Sequence, residues 1–264
     1  MRAGPGQRVP AVILATRPLG EADLLVVLLT PGIGKVRAAA RSARRSTKRF
    51  AGGLSGGAVG EATLALRRGG LSRLEGFVPR WDHGGLGRDL TRFAYVAYLC
   101  ELTDALLHEP EPEPALFTAL CDAIAQTMEA TPQAAVLRRY ELVLLRALGL
   151  LPALATCAVC GDPLAPGPMV SFEAGRGGAL CLQHGKGAGR QPATVLATAR
   201  RLVAAGDEIE IAAALRDAGA RPAHERRTLR DLVTGWLRPH LRQPLRSREF
   251  FAKLGPSRGP RDDA

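Results

Sequence analysis

Leu24-Leu-Val-Val-Leu-Leu-Thr-Pro-Gly-Ile-Gly-Lys-Val-Arg-Ala-Ala-Ala40 sets the strand pattern of the N-terminal part. A continuous run of Leu and Val stops at Pro31-Gly32. The chain then resumes with Lys35 and Arg37 alternating with Val36 and Ala38, as a half-exposed strand does. Upstream, residues 11–16 form a compact apolar run ended by Pro18 and Gly20. Downstream, residues 61–67 alternate with Ala62, Leu64 and Leu66 on one face, Arg68-Gly69-Gly70 turns, and residues 71–77 return as a fifth strand. Five short strands joined by turns in the first eighty residues predict a small barrel. The oligonucleotide-binding (OB) type is one candidate, and an SH3-like barrel fits the same periodicity.

Between the third and fourth strands lies Arg41-Ser-Ala-Arg-Arg-Ser-Thr-Lys-Arg49, with five positive charges and no negative one, leading into Gly52-Gly-Leu-Ser-Gly-Gly57. Charge repulsion keeps such a loop from folding alone, yet it can lie along a phosphate backbone and release counterions. The competing reading is a solvated surface loop. Phe50 is the only aromatic beside the run, so the expectation is contact with the nucleic-acid backbone and little sequence preference. Gly32-Ile-Gly34-Lys35 lacks the spacer and the Ser/Thr of a Walker-type phosphate loop, and reads as a turn.

The 264 residues suffice for one large domain or two to three small ones. Apolar residues make up 46% and aromatics only 5%, so the core is built mostly of Leu, Val and Ala. Thirty-six Lys and Arg against 25 Asp and Glu give +11 and a pI near 10.3, which suits a polyanionic partner, nucleic acid or an anionic membrane surface. A generally basic surface is the plainer alternative, and the clustering in residues 41–49 favours nucleic acid. No run of about 18 apolar residues is present to span a bilayer. The first eight residues lack the apolar stretch of a signal peptide. A cytoplasmic protein is expected.

Beyond Trp81 the period lengthens to about 3.6 residues. A first helix is predicted with Leu90, Phe93, Ala97, Cys100 and Leu107 on one face, ending before Pro110. Glu109-Pro-Glu-Pro-Glu-Pro114 is an acidic, extended connector, and Pro114 suits the first turn of a second helix with Leu116, Leu120, Ile124 and Met128 in a stripe. A third helix is bracketed by Thr131-Pro132 and by Gly149 as its stop, with Val136, Tyr140, Val143 and Ala147 facing the core. Cys100 and Cys121 read as small buried hydrophobes. Residues 192–206 and 208–219 predict two short helices. A longer one follows, with Leu229, Leu232, Val233 and Trp236 on one side, Arg227 and Arg238 on the other, and Pro239 kinking or ending it. His83, His108, His224 and His240 have no acidic or Ser partner that suggests catalysis.

The most specific chemical signal is Cys157-Ala-Val-Cys160 facing Cys181-Leu-Gln-His184 across twenty residues. Each knuckle can turn both its side chains to one side, and two knuckles close a tetrahedron around Zn²⁺. Chance pairs or a disulfide are the alternatives, and thiols held this way point to a reducing compartment. The intervening segment is too short and too polar for a core of its own, so the metal would supply its folding energy.

Three motif groups, in chain order, carry a family resemblance. The first is Val12-Ile-Leu14, Gly20-Glu-Ala-Asp23-Leu-Leu, Leu29-Thr30 and Gly34-Lys35-Val36, running into the basic loop. The second is Leu137-Arg-Arg-Tyr140-Glu141-Leu-Val-Leu-Leu145 with Leu148-Gly-Leu150 and Pro152, and the third is Leu245-Arg-Ser-Arg-Glu-Phe-Phe251. The chain resembles the RecO (recombination protein O) family of bacterial DNA repair proteins. The resemblance implies an α+β multidomain chain: an N-terminal OB-fold β-barrel (residues 1–80) followed by an α-helical domain in two parts (81–152 and 191–251). It also implies an inserted zinc-binding module at 153–190; apart from the resemblance, the tail at 252–264 is expected to be disordered. Such proteins bind single- and double-stranded DNA, anneal complementary strands, and act with RecR on strands coated with single-stranded DNA-binding protein (SSB), so that RecA loads. No enzymatic turnover is implied, and a cytoplasmic, nucleoid-associated location is. By position, the family's basic residues map onto Lys35, Arg37, Arg41, Arg44, Arg45, Lys48 and Arg49. His184 stands where a Cys is common in the family, and some members lack the cysteines altogether.

The expectation is therefore a non-enzymatic DNA-binding mediator of recombinational repair (RecF pathway), with one structural Zn²⁺ on Cys157, Cys160, Cys181 and His184. The rivals are a zinc-dependent hydrolase acting on DNA and a zinc-ribbon DNA-binding regulator. A catalytic zinc keeps a position open for water, whereas four protein donors fill this one, and only Asp162 and Glu173 offer carboxylates within the module.

Overall fold

The computed structural model describes residues 6–46, 48–50, 53–67, 70–80, 89–108, 110–129 and 134–247. The chain groups into two units, one comprising Met1–Pro132 with Arg242–Ala264 and the other Gln133–Leu241. His83, the Arg68-Gly69 part of the predicted turn, the Thr131-Pro132 cap, residues 248–251 and the tail at 252–264 lie outside the described residues.

In the first unit, β1 (Gln7–Leu19), β2 (Asp23–Thr30), β3 (Gly34–Ala40), β4 (Val59–Ala65) and β5 (Ser72–Pro79) close a barrel in the order β1-β2-β3-β5-β4. The first strand is long enough to pair twice: Gln7 to Val12 run against β4, and Val12 to Leu19 against β2. It continues through Pro18, which was expected to end it, because an extended backbone suits proline and only one ladder donor is lost. The chain turns instead at Gly20. Closure comes from a parallel contact, Ala38 beside Ser72 and Ala39 beside Arg73. A parallel β3–β5 seam cannot arise in a simple meander, and it gives the barrel its OB-like character.

Alternate residues fill the barrel: Ala11 and Ile13, Val26 and Leu28, Ala38 and Ala40, Ala62 and Leu64. Leu74 and Phe77 both point inward despite their odd spacing, because the β4–β5 register shifts between Thr63 and Leu64. On the opposite face Val12, Leu14, Val27 and Leu29 are also buried. Two helices, α1 (Leu90–Leu106) and α2 (Pro114–Glu129), pack on β1 and β2 and account for the unbroken apolar run of residues 24–30. Val96 lies so close to Gly57 that a Cβ there would collide with it, and the Cys100 thiol sits 3.8 Å from the Ile13 carbonyl.

The predicted face of α1 needs correction. Leu90 and Phe93 are exposed, and Val96, Leu99, Cys100, Thr103 and Leu106 are buried. A helix this rich in Ala and Leu, with few charges, carries little amphipathic signal to choose its inward face. Asp89 caps its start, accepting from the Thr91 and Arg92 amides at 2.9 and 3.1 Å. The stripe predicted for α2 holds at Leu116, Leu120 and Ile124. The connector before α2 lies against the β2–β3 turn: Gly34 has φ 80, and a Cβ there would fall on the Glu111 backbone.

Residues 242–247 also belong to this first unit. The Glu101 carboxylate on α1 accepts from the Arg246 and Ser247 amides, both at 2.9 Å, and from the Ser247 hydroxyl at 2.6 Å. Compactness thus groups α1, α2 and this segment with the barrel.

The second unit is built on α3 (Ala134–Ala147), which packs against α4 (Ala193–Ala204), α5 (Glu208–Ala220) and α6 (Ala223–Leu237). Gly149, at φ 68, ends α3 as expected: its amide bonds the Arg146 carbonyl and that of Leu150 bonds Leu145, a Schellman stop. Arg146 and Arg139 reach from α3 to the Val203 and Ala205 carbonyls, 2.6 and 3.4 Å away, and so place positive charge at the C-terminal end of α4. Glu141 is fully buried on α3 and paired with Arg138 at 2.7 Å. A three-stranded sheet in the order β7-β6-β8 completes the unit, from β6 (Met169–Glu173), β7 (Gly178–Leu180) and β8 (Gly189–Pro192). Phe172 of β6 lies 5.3 Å, ring centre to ring centre, from Trp236 of α6. The module lacks a core of its own, as its composition implies, and borrows one from the helices.

Candidate nucleic-acid interface and metal centre

The basic segment is more ordered than its charge suggests. Ala43–Arg45 form a single 3-10 turn entered through Ser42. The Ser42 amide donates to Asp23 Oδ1 at 2.7 Å, the Arg44 amide to the Ala22 carbonyl at 3.1 Å, and Arg44 Nη1 to the Glu21 carbonyl at 3.3 Å. At the far end Arg49 Nη2 donates to the Arg41 carbonyl at 2.7 Å, and the Phe77 amide donates to the Arg49 carbonyl at 3.0 Å. Hydrogen bonds to the neighbouring hairpin and to β5 therefore hold what repulsion would splay.

Arg37, Arg41, Arg44, Arg45, Lys48 and Arg49 are exposed. Lys35 is not: it is only 5% accessible, and its Nζ is held by the Asp104 carbonyl at 2.7 Å and the Asp104 carboxylate at 3.2 Å. The strand alternation that sets Lys35 beside Arg37 is real, but α1 covers the Lys35 end of that face. Lys35 is thus an internal ion-pair residue, and the exposed basic set begins at Arg37. Sequence reading missed Arg73. Its register opposite Ala39 in the parallel seam sets this exposed residue on the outer face that Arg37 and Arg41 share, although it also pairs with Glu75. Only the strand order could have revealed it. Phe50 and Phe77 are both inside the barrel, with Arg49 stacked 5.2 Å from the Phe50 ring, so neither presents a face for base stacking.

In the second unit, the donor atoms of Cys157, Cys160, Cys181 and His184 all lie within 4.8 Å of one another. His184 Nδ1 is 3.3 Å from Cys181 Sγ and 3.7 Å from Cys157 Sγ, and the Cys160 and Cys181 sulfurs are 3.9 Å apart. Donors at about 2.0–2.3 Å from a tetrahedral ion stand roughly 3.5 Å apart, so this set fits one. Both knuckles are tight turns: the Gly161 amide bonds the Cys157 carbonyl at 2.8 Å, and the Gly185 amide bonds the Cys181 carbonyl at 2.7 Å. Burial opposes ionisation of Cys157, but backbone amides of Cys181, Cys160 and Val159 directed at its sulfur bring its pKa down to about 5. Cys160 moves the other way, to about 12: the Asp162 amide lowers it, whereas burial, the Asp162 carboxylate 3.2 Å away and the neighbouring sulfurs raise it. Three sulfurs and an imidazole at these distances could hold one divalent metal ion.

Two family models match the chain in succession. The model described as Recombination protein O N terminal covers residues 6–79, and Recombination protein O C terminal covers residues 87–249. The chain belongs to the recombination protein O family. A DNA repair protein RecO of Anaeromyxobacter dehalogenans (strain 2CP-C) is 38% identical over 256 residues, 96% of this chain and 98% of the relative. The DNA repair protein RecO of Symbiobacterium thermophilum is 34% identical over 258 residues, 95% of this chain and 98% of the relative. In RecO terms, the first family model spans the barrel with its basic segment, and the second spans the helices and the Cys₃His cluster. Among the described residues no helix is long and apolar enough to cross a membrane.

Proposed function

We propose that this chain is a non-enzymatic, DNA-binding mediator of recombinational repair. One observation carries the reading. A segment of five positive charges is held on the barrel rim by its backbone, and the Arg41, Arg45 and Lys48 side chains make no bond to the protein among the described residues. Cations displayed in this way neutralise phosphates and lower the repulsion between two strands, so that strands meet and pair with no covalent bond made or broken. Arg37, Arg44 and Arg49 extend the same surface. Single- and double-stranded DNA would both bind, with little sequence preference. RecR and SSB are the expected protein partners, RecA is served indirectly, and the site of action is the cytoplasm at the nucleoid.

We assign Zn²⁺ to Cys157, Cys160, Cys181 and His184, where it would cross-link the two knuckles and carry no reaction. Four protein donors leave no open position for water, which supports a structural role over a hydrolytic one. A strand-annealing assay on SSB-coated complementary oligonucleotides, with and without RecR, tests the function. Faster annealing by the purified protein is expected, and sustained cleavage of labelled DNA with divalent metals would overturn it.

A further inference from the structure

The basic segment rests against the acidic hairpin Glu21-Ala-Asp23, where a carboxylate eases the mutual repulsion of the cations but also faces their ligand. A negative charge beside a phosphate-binding surface repels its ligand. The backbone gives Asp23 a further role. Ser42 has φ 52 and ψ 29, and among the described residues it is the one non-glycine residue in the left-handed region. That kink carries the chain off the end of β3 and into the 3-10 turn that bears Arg44 and Arg45. An L-residue is strained in this conformation, and the Ser42 side chain makes no capping bond to offset it. The external bond on the kink is the one from the Ser42 amide to Asp23 Oδ1, at 2.7 Å, with the Arg44 amide on the Ala22 carbonyl just beyond.

We infer that Asp23 is a positioning residue for DNA binding: its carboxylate locks Ser42 in the left-handed kink and so aims the arginines of the 41–49 segment at the phosphates. This rests on the DNA-binding reading above. Its consequence runs against simple charge counting. Removing the carboxylate removes a repulsive charge, yet binding weakens, because a loosened loop must be ordered at each encounter.

The test is the affinity and salt slope of the full-length protein for a single-stranded oligonucleotide, with circular dichroism confirming the barrel. For Asp23→Ala, affinity should fall about three- to tenfold. Asp23→Asn keeps the acceptor oxygen without the charge and should stay within about twofold of the parent. Asp23→Ala/Ser42→Gly should regain much of the loss, because glycine takes the left-handed conformation without strain. Tighter or unchanged binding by Asp23→Ala overturns the inference. Should that variant fail to fold, Asp23→Asn decides alone, since binding tightened beyond twofold would mean that charge governs. Unchanged binding by Arg41→Ala/Arg45→Ala/Lys48→Ala defeats the DNA-binding reading itself, whatever Asp23 does.

Discussion

Glu101 grips Ser247 across 146 residues of sequence: one carboxylate oxygen takes both the Ser247 hydroxyl, at 2.6 Å, and its amide, at 2.9 Å. The other oxygen takes the Arg246 amide. Bonds to a charged acceptor at partly buried sites are worth more than neutral ones, so Glu101→Ala should cost about 1.5–3 kcal/mol of stability. Urea denaturation would measure it, and limited proteolysis should cut the C-terminal segment sooner in the variant. An unchanged midpoint and cleavage pattern would show that this contact contributes nothing in solution.

Cys157→Ser should lose the metal and loosen the module while leaving DNA affinity largely intact. Elemental analysis should fall from about one zinc per chain toward none. Because the Phe172 ring lies against Trp236, emission from Trp236 should change when zinc is removed, best read with Trp81 replaced by Phe. Full zinc content in the variant would remove Cys157 from the ligand set.

Burial pushes the Cys100 thiol from 9.0 to about 12. Above pH 9 the unfolded chain sheds this proton while the folded chain keeps it. The stabilisation is therefore complete below pH 9 and drains away as pH rises toward 12, at about 1.4 kcal/mol per pH unit. Chemical denaturation of the parent and of Cys100→Ala between pH 8 and about 10.5 should give converging curves. Parallel curves would mean that the thiol titrates alike in both states.

Replacing Arg44, Arg45, Lys48 and Arg49 together by Ala should flatten the dependence of log affinity on log salt, by about 0.7–0.9 for each phosphate no longer neutralised. Lys35→Ala should behave differently. It breaks the ion pair with Asp104 and lowers stability, and the salt slope stays where it was. A slope that drops with Lys35→Ala would return that residue to the DNA-facing set.

The barrel was legible in sequence because its signals are local. Strand alternation, Pro31-Gly32 and the two-sided apolar run at residues 24–30 each act within a few positions. The grouping of Cys157, Cys160, Cys181 and His184 was legible for the same reason, since a two-residue knuckle brings its own pair together. What escaped was decided at a distance. Lys35 is buried by a helix about 70 residues downstream, through Asp104, and Arg73 joins the basic face only through the β3–β5 seam. The inward face of α1 was misread at Leu90 and Phe93, because that helix has no strongly polar side to set against an apolar one.

The division of the chain has a consequence for biosynthesis. Residues 242–247 leave the ribosome only after the whole of Gln133–Leu241 has been made, yet they complete the unit that begins with the barrel. Until then the Glu101 carboxylate waits without the three donors that later satisfy it. The second unit is complete in sequence by Leu241, whereas the first lacks its last segment until residue 247 has been made. A chain cut short after Leu241 would thus keep the second unit whole and leave the first without its latch. A premature stop just before Arg242 should harm the end of the molecule that was made first.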